Sequence, residues 1–197
     1  RWDYKDKKHF NGIDETMRID QTKHSLFGAS KTAADIYTQE YGRYFNMPTV
    51  CFRGGCLTGP SHSSAELHGF LSYIIKCAVA GKPYTIFGYK GKQVRDQIHS
   101  HDVITAIEQF IKTPGTAAVY NLGGGRNNSA SVIECISILE KEFGLKLNYT
   151  LSDTNRIGDH ICYITDLSRF KNDYPTWDIT ISLQQIIRQI VDAELQR

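Results

Sequence analysis

Phe27 and Lys31 stand one helical turn apart in the run Ser25-Leu26-Phe27-Gly28-Ala29-Ser30-Lys31-Thr32-Ala33-Ala34-Asp35. The spacing sets an aromatic ring beside an ammonium and follows them with small residues that permit close packing. The ammonium can donate to a ligand, whereas a phenyl ring has no proton to give or take. Two arginines suit anions. Arg95 and Arg156 each offer a planar guanidinium that can set two parallel hydrogen bonds on a phosphate, and Asp159 can accept from sugar hydroxyls. The plain alternative for each is a surface position, where an ion pair contributes little. His99 and His101 alternate at a strand end without a third ligand at useful spacing, so no metal site is expected. Gly123-Gly124-Gly125 follows a strand and precedes a helix, the setting of a pyrophosphate turn. Its glycine spacing does not match, and no acidic residue closes a following strand.

Helical and extended segments alternate along the chain, which predicts an α/β protein. Residues 1–21 lack periodicity and read as an irregular loop. The spacing of Ala33, Tyr37, Tyr41 and Tyr44 predicts a helix over 25–45, stopped by Asn46-Met47-Pro48. A short strand over 49–53 ends at Gly54-Gly55. Further helices are expected over 65–80, from an Asp102 cap to 111, from a Ser129 cap to before Gly144, from Ser168, and over 182–195. Strands are expected over 84–87, 97–100, 117–122 and 147–150.

Composition sets the broad class. Of 197 residues, 41% are apolar and 22% charged, a globular balance, and a net charge of +2 is too small to argue for nucleic acid. Lys5 to Lys8 is the one charge run and reads as a solvated loop. No apolar stretch is long enough to cross a bilayer. The five cysteines, at 51, 56, 77, 135 and 162, include no Cys-x-x-Cys pair and read as free thiols in a reducing cytoplasm.

Several segments in a fixed order carry a resemblance that none carries alone. Phe27 to Lys31 is one residue from Tyr-Gly-x-Ser-Lys. Phe52-Arg53-Gly54-Gly55-Cys56-Leu57-Thr58-Gly59-Pro60 looks like a strand and turn that contact nicotinamide and substrate. Phe87 to Asp96 is similar to Gly-x-Gly-x-Gln-x-Arg-Asp, Tyr120 to Gly125 with Ser129 resembles the strand that opens the next helix, and Arg156-Ile157-Gly158-Asp159 matches Arg-x-Gly-Asp. Together they resemble the extended short-chain dehydrogenase/reductase (NAD-dependent epimerase/dehydratase) family. Within it they are most similar to the CDP-tyvelose (CDP-paratose) 2-epimerases.

That resemblance implies the C-terminal part of an NAD(P)-binding Rossmann fold over 1–60, with a smaller α/β substrate-binding domain mainly over 61–197 that returns some segments to the Rossmann sheet. It implies NAD as cofactor and a nucleotide sugar, a CDP-hexose, as substrate, inverted at C2 through a transient 2-keto sugar. Lys31 would hold the nicotinamide ribose, and Phe27 stands where the family has its Tyr general base. Gly54 and Gly55 would contact the cofactor. Cys56, where the family usually has Asn, together with His68, Arg95, Arg156 and Asp159, would contact the substrate. Asp96 is expected to be structural, tying its loop to backbone N–H groups. The family's Gly-x-x-Gly-x-x-Gly turn does not occur before Phe27. The chain is therefore expected to be the C-terminal part of a longer, cytoplasmic protein whose N-terminal segment covers the apolar face of the 25–45 helix, with helices of a homodimer packed on the intact protein. No nucleic-acid or membrane partner is expected. Loss of the Tyr leaves two readings open: an epimerase with a substitute base, His24 or His68, or a non-catalytic relative that binds a nucleotide sugar or a protein.

Overall fold

Two strands at the centre of an aromatic cluster organise the first part of the molecule. β1 (Val50–Gly54) runs parallel to β5 (Ala118–Leu122), with Phe52 opposite Tyr120. The computed structural model describes residues 1–63, 69–155 and 159–197. Around these strands Phe52, Phe110, Tyr120, Phe170, Tyr174 and Trp177 pack edge to face, with Phe170 wholly buried. Offset and edge-on contacts of this kind bring the positive rim of one ring to the negative face of another.

α1 (Leu26–Phe45) begins where the Ser25 hydroxyl accepts from the Gly28 amide, and it stops at Asn46 in the left-handed conformation. It lies against β1 with the opposite polarity. Gly42 touches the start of β1 and β5 so closely that a Cβ there would stand 2.2 Å from Thr49 Oγ1 and 2.7 Å from the Ala117 amide nitrogen. Seven residues earlier, Asp35 takes a two-pronged bond from Arg53 near the end of β1, at 2.9 Å and 3.0 Å. The remaining faces of α1 are open, and Tyr37, Tyr41, Tyr44 and Phe45 are all exposed along one stripe.

A second cluster gathers α2 (Phe70–Val79), β3 (Tyr84–Phe87), α4 (Val132–Phe143) and α6 (Leu183–Leu195) around Ile74, Ile75, Ile86, Leu139, Ile186 and Ile187. β3 pairs in parallel with β7 (Tyr149–Ser152). Between the clusters runs β4 (Val94–His99), buried at every position but Arg95. It is parallel to β2 (Cys56–Thr58) and β8 (Cys162–Tyr163) and antiparallel to β6 (Ser129–Ser131). α3 (Ser100–Lys112) continues directly from β4, and α5 (Ser168–Asp173) carries Phe170 into the aromatic cluster. No helix among the described residues is long and apolar enough to cross a membrane.

Several boundaries differ from expectation. α2 begins at Phe70, after Gly69 in the left-handed conformation; residues 65–68 of the expected helix lie outside the described residues. The 97–100 strand starts earlier, at Val94, because buried β4 draws in Val94 and Asp96. Ser129 lies on β6, and Ser131 caps α4 instead, in a reciprocal box with Glu134. The 147–150 strand shifts to Tyr149–Ser152, in register with β3. Asp102 does not cap its own helix, where His99 is the cap. Its buried carboxylate accepts from the Thr180 amide at 3.1 Å, the Thr180 hydroxyl at 2.5 Å and the Ile181 amide at 3.2 Å, and so fixes the approach to α6.

Two substitutions test these anchors by denaturant melts. Asp35→Asn removes a carboxylate held below its ordinary range first by the Arg53 hydrogen bonds, and is expected to cost about 2 kcal/mol at neutral pH. Because a depressed carboxyl stabilises only while ionised, that contribution persists above about pH 4 and is lost as pH falls through the folded-state value. Acid titration of stability should therefore be shallower in the variant. Asp102→Ala strands two amides and a hydroxyl and should cost about 3 kcal/mol or more.

Candidate functional site

The polarity of α1 decides where its first turns lie. The helix passes Gly42 at the amino end of β1 and Asp35 at the carboxyl end. Lys31, one turn further back along a rise of about 1.5 Å per residue, therefore projects beyond the carboxyl edge of the strands. In parallel α/β sheets ligands bind outside that edge. Lys31 is exposed, makes no ion pair among the described residues, and holds its ammonium 5.3 Å from the centre of the exposed Phe27 ring. The contact is a cation–π one, and it leaves the donors of the ammonium open to a hydroxylated ligand. His24 sits just before the helix cap, its Nδ1 2.6 Å from the Thr22 carbonyl oxygen. A carbonyl only accepts, so Nδ1 carries the hydrogen in the neutral ring and Nε2 holds the lone pair.

At the carboxyl end of β1 the backbone turns through Gly54 and Gly55 into β2. The Gly55 amide donates to the Leu122 carbonyl at 2.8 Å. A Cβ on Gly55 would crowd Asp96 Oδ1 at 3.1 Å and both the Gly123 Cα and Thr165 Oγ1 at 3.3 Å, so the close passage of this backbone requires glycine. Below it Asp96 Oδ2 accepts from the Gly125 amide at 2.9 Å and the Thr165 amide at 3.0 Å, and burial pushes this carboxyl upward. Cys56 follows on β2. Desolvation, with the neighbouring Asp96, pushes its thiol up to about 11, so at neutral pH it is a thiol and a weak nucleophile.

Arg95 leaves β4 on the side of the second cluster. It donates to the Val94 carbonyl at 2.7 Å and to Asp159 Oδ1 at 2.5 Å. Arg95 and Asp159 border a cavity of about 80 Å³ whose walls are Phe70, Tyr84, Phe87, Gln93 and Val132. A half-buried guanidinium at the mouth of an aromatic pocket suits a flat ring joined to an anion. His68 and Arg156 lie outside the described residues. The structure thus brings Arg95 and Asp159 into one ion pair, packs Gly55 and Cys56 close to Asp96, and sets Phe27 and Lys31 at the start of α1. Gln93, Phe70 and Tyr84 were not singled out from the sequence. The Gln of the Gly-x-Gly-x-Gln-x-Arg-Asp segment was the available signal for the first, whereas the aromatic pair comes from separate elements and had none.

Comparison with known proteins fits this arrangement. The pattern of the NAD dependent epimerase/dehydratase family matches residues 4–123. CDP-paratose 2-epimerase of Salmonella typhi is 32% identical over 191 residues, which is 92% of this chain and 54% of that protein. A dTDP-glucose 4,6-dehydratase of Xanthomonas campestris is 26% identical over 93% of this chain and 54% of its own. The chain spans about half the length of these curated relatives. Among solved structures, UDP-glucuronic acid 4-epimerase of Bacillus cereus, crystallised with UDP-glucuronic acid and NAD, superposes with a TM-score of 0.79 at 25% identity. That match covers 94% of this chain and 56% of the other. The α/β architecture here is accordingly that of the Rossmann-fold epimerases and dehydratases, and the chain belongs to the NAD dependent epimerase/dehydratase family.

Proposed function

We propose that this chain is the substrate-binding half, with the last part of the dinucleotide-binding fold, of an NAD-dependent epimerase that inverts C2 of a CDP-hexose. The observation that carries the reading is the pairing of two separate donors on one framework: the open ammonium of Lys31 beyond the sheet edge, and the Arg95 guanidinium at an aromatic cavity. Similarity to a CDP-paratose 2-epimerase supports the choice of base and carbon. On this reading residues 1–60 belong to the cofactor domain and 61–197 mainly to the substrate domain. The exposed stripe of α1 packs against the remaining fold and a second subunit, in a cytoplasm whose reducing conditions suit the five free thiols.

NAD, when bound, supplies reversible hydride acceptance. The residues at hand suit its nicotinamide end, because Lys31 holds an open ammonium whose N–H donors suit ribose hydroxyls. Arg95 holds the substrate diphosphate, which must first compete with Asp159 for the same N–H group; released, Asp159 accepts from ribose hydroxyls. By the resemblance, Arg156 would also bind the diphosphate and His68 the sugar, and Cys56 would meet it as a neutral thiol. Phe27 shields the nicotinamide face but moves no proton. His24 takes the C2 hydroxyl proton on Nε2, since its other nitrogen is fixed by Thr22.

A second reading rests on Phe27 alone: a relative that has kept nucleotide-sugar binding and lost the chemistry. Protein purified from its own cell without NAD would favour it. Turnover of a CDP-hexose decides between them. Losing a placed acid/base typically costs about 10²- to 10⁴-fold. Phe27→Tyr in the intact protein should thus raise turnover at least about tenfold, and an unchanged rate would show that another group already does the work. His24→Ala should lower the rate of the native protein by about 10²-fold or more; an unaffected rate removes His24 from the mechanism.

A further inference from the structure

We infer that residues 1–4 form a brace that sets the spacing of the cavity walls beside Arg95, with Trp2 and Tyr4 as positioning residues for the nucleotide sugar; this rests on the nucleotide-sugar reading above. None of the four lines the cavity. Arg1, Trp2 and Tyr4 nevertheless each bond a different segment that leads to a wall. Arg1 sets one guanidinium donor on the Ser129 carbonyl at 3.0 Å and another on the Ser129 hydroxyl at 2.8 Å, just before the helix that opens with Val132. Trp2 donates its main-chain N–H to the Lys92 carbonyl at 2.9 Å and its indole N–H to the Tyr89 carbonyl at 3.3 Å, and so spans the turn between Phe87 and Gln93. The Tyr4 hydroxyl accepts from the Ile164 amide at 2.8 Å, on the segment that begins with Asp159.

The segments held in this way need outside support. Gly88, Tyr89, Lys90 and Gly91 have φ of 64°, 50°, 55° and 70°, a left-handed run in which two of the four residues carry side chains that disfavour it. Such backbone persists only where its surroundings over-determine it, and the two Trp2 bonds fall on Tyr89 and on Lys92 at the end of the run. β8 is two residues long, and just beyond it Ile164 gives its N–H to Tyr4 while its carbonyl accepts from the Ile13 amide at 2.7 Å. Arg126 fastens the brace in turn, with a two-pronged bond to Asp3 at 2.8 Å and 3.0 Å and its guanidinium 4.3 Å from the centre of the Phe10 ring. Four residues span about 14 Å at most, so walls bonded to one such stretch cannot drift apart independently. On the reading above the base meets the Phe87 and Gln93 wall while the diphosphate meets Arg95 and Asp159. Affinity then depends on the spacing that Trp2 and Tyr4 hold between the two.

Calorimetric titration of the intact protein with CDP, and separately with NAD, tests this because it returns both the affinity and the number of working sites. The double variant Trp2→Ala, Tyr4→Phe should bind CDP at least about fivefold more weakly, with NAD affinity kept within about twofold. A merely structural role would lower the number of CDP sites and leave the affinity of the remaining ones unchanged. Unchanged CDP affinity overturns the inference, as does an equal weakening of CDP and NAD, and either result leaves the nucleotide-sugar reading standing. Should the double variant fail to fold, Tyr4→Phe alone, which keeps the ring and removes only the hydroxyl, is read by the same comparison with a loss of at least about threefold expected. Failure of the native protein to bind CDP overturns both.

Discussion

The carboxylate of Asp96 is the constraint on which the rest of the arrangement depends. It is wholly buried on β4, which pairs with β2, β6 and β8, and its Oδ2 gathers the Gly125 amide from the loop after β5 and the Thr165 amide from the chain after β8. One side chain thereby joins three segments separated by 29 and 69 positions in sequence. Residues on either side inherit that rigidity. Arg95 can face the aromatic cavity at a fixed angle only because its neighbour is anchored, and Gly55 can pass over Asp96 only because it brings no Cβ. Burial raises the carboxyl's affinity for a proton, while the Thr165 and Gly125 amides oppose that shift.

Two kinds of packing hold the site from opposite sides. The aromatic cluster under β1 and β5 is rich in edge-to-face contacts and locks those strands against α5, so Gly54 and Gly55 emerge at one position. The aliphatic cluster of α2, α4 and α6 is non-directional and sets the walls of the cavity through Phe70 and Val132. β4 lies between them and receives support from both. α1 is weakly supported among the described residues: Gly42 is its one fully buried position, and it is tied to β1 by the Asp35–Arg53 pair and by the Cys51 thiol on the Asp35 carbonyl. A half-buried, two-pronged pair of this geometry is worth more than a surface ion pair, yet it cannot offset twenty residues with one buried position. The stripe of tyrosines stays exposed.

Much of this was legible before any coordinates. The Lys31 spacing, the Arg95-Asp96 pair and the order of the glycine-containing segments define the family and the α/β class, because helix period and turn chemistry are local properties. The roles that escaped were non-local. Asp102 resembles a helix cap in sequence, but its partners are Thr180 and Ile181 nearly eighty residues on. Ser129 and Ser131 are equally plausible caps until pairing with β4 claims the first. Gln93 stands in the glycine-containing motif before Arg95, and only its bond to the Phe87 carbonyl shows which end of the amide is left over.

The sequence by itself determined which side chains are present: an ammonium one turn from a ring, two guanidiniums, a phenylalanine where a phenol is expected, and enough glycine for close backbone passage. Tertiary structure alone decided which of them meet. Asp159 lies 64 positions from Arg95 and borders the same cavity, and the walls come from α2, β3 and α4. The reason is that hydrogen bonds and desolvation act over a few ångströms in space. Short periodicities along the chain describe each element, but they carry no information on which distant element will remove its water.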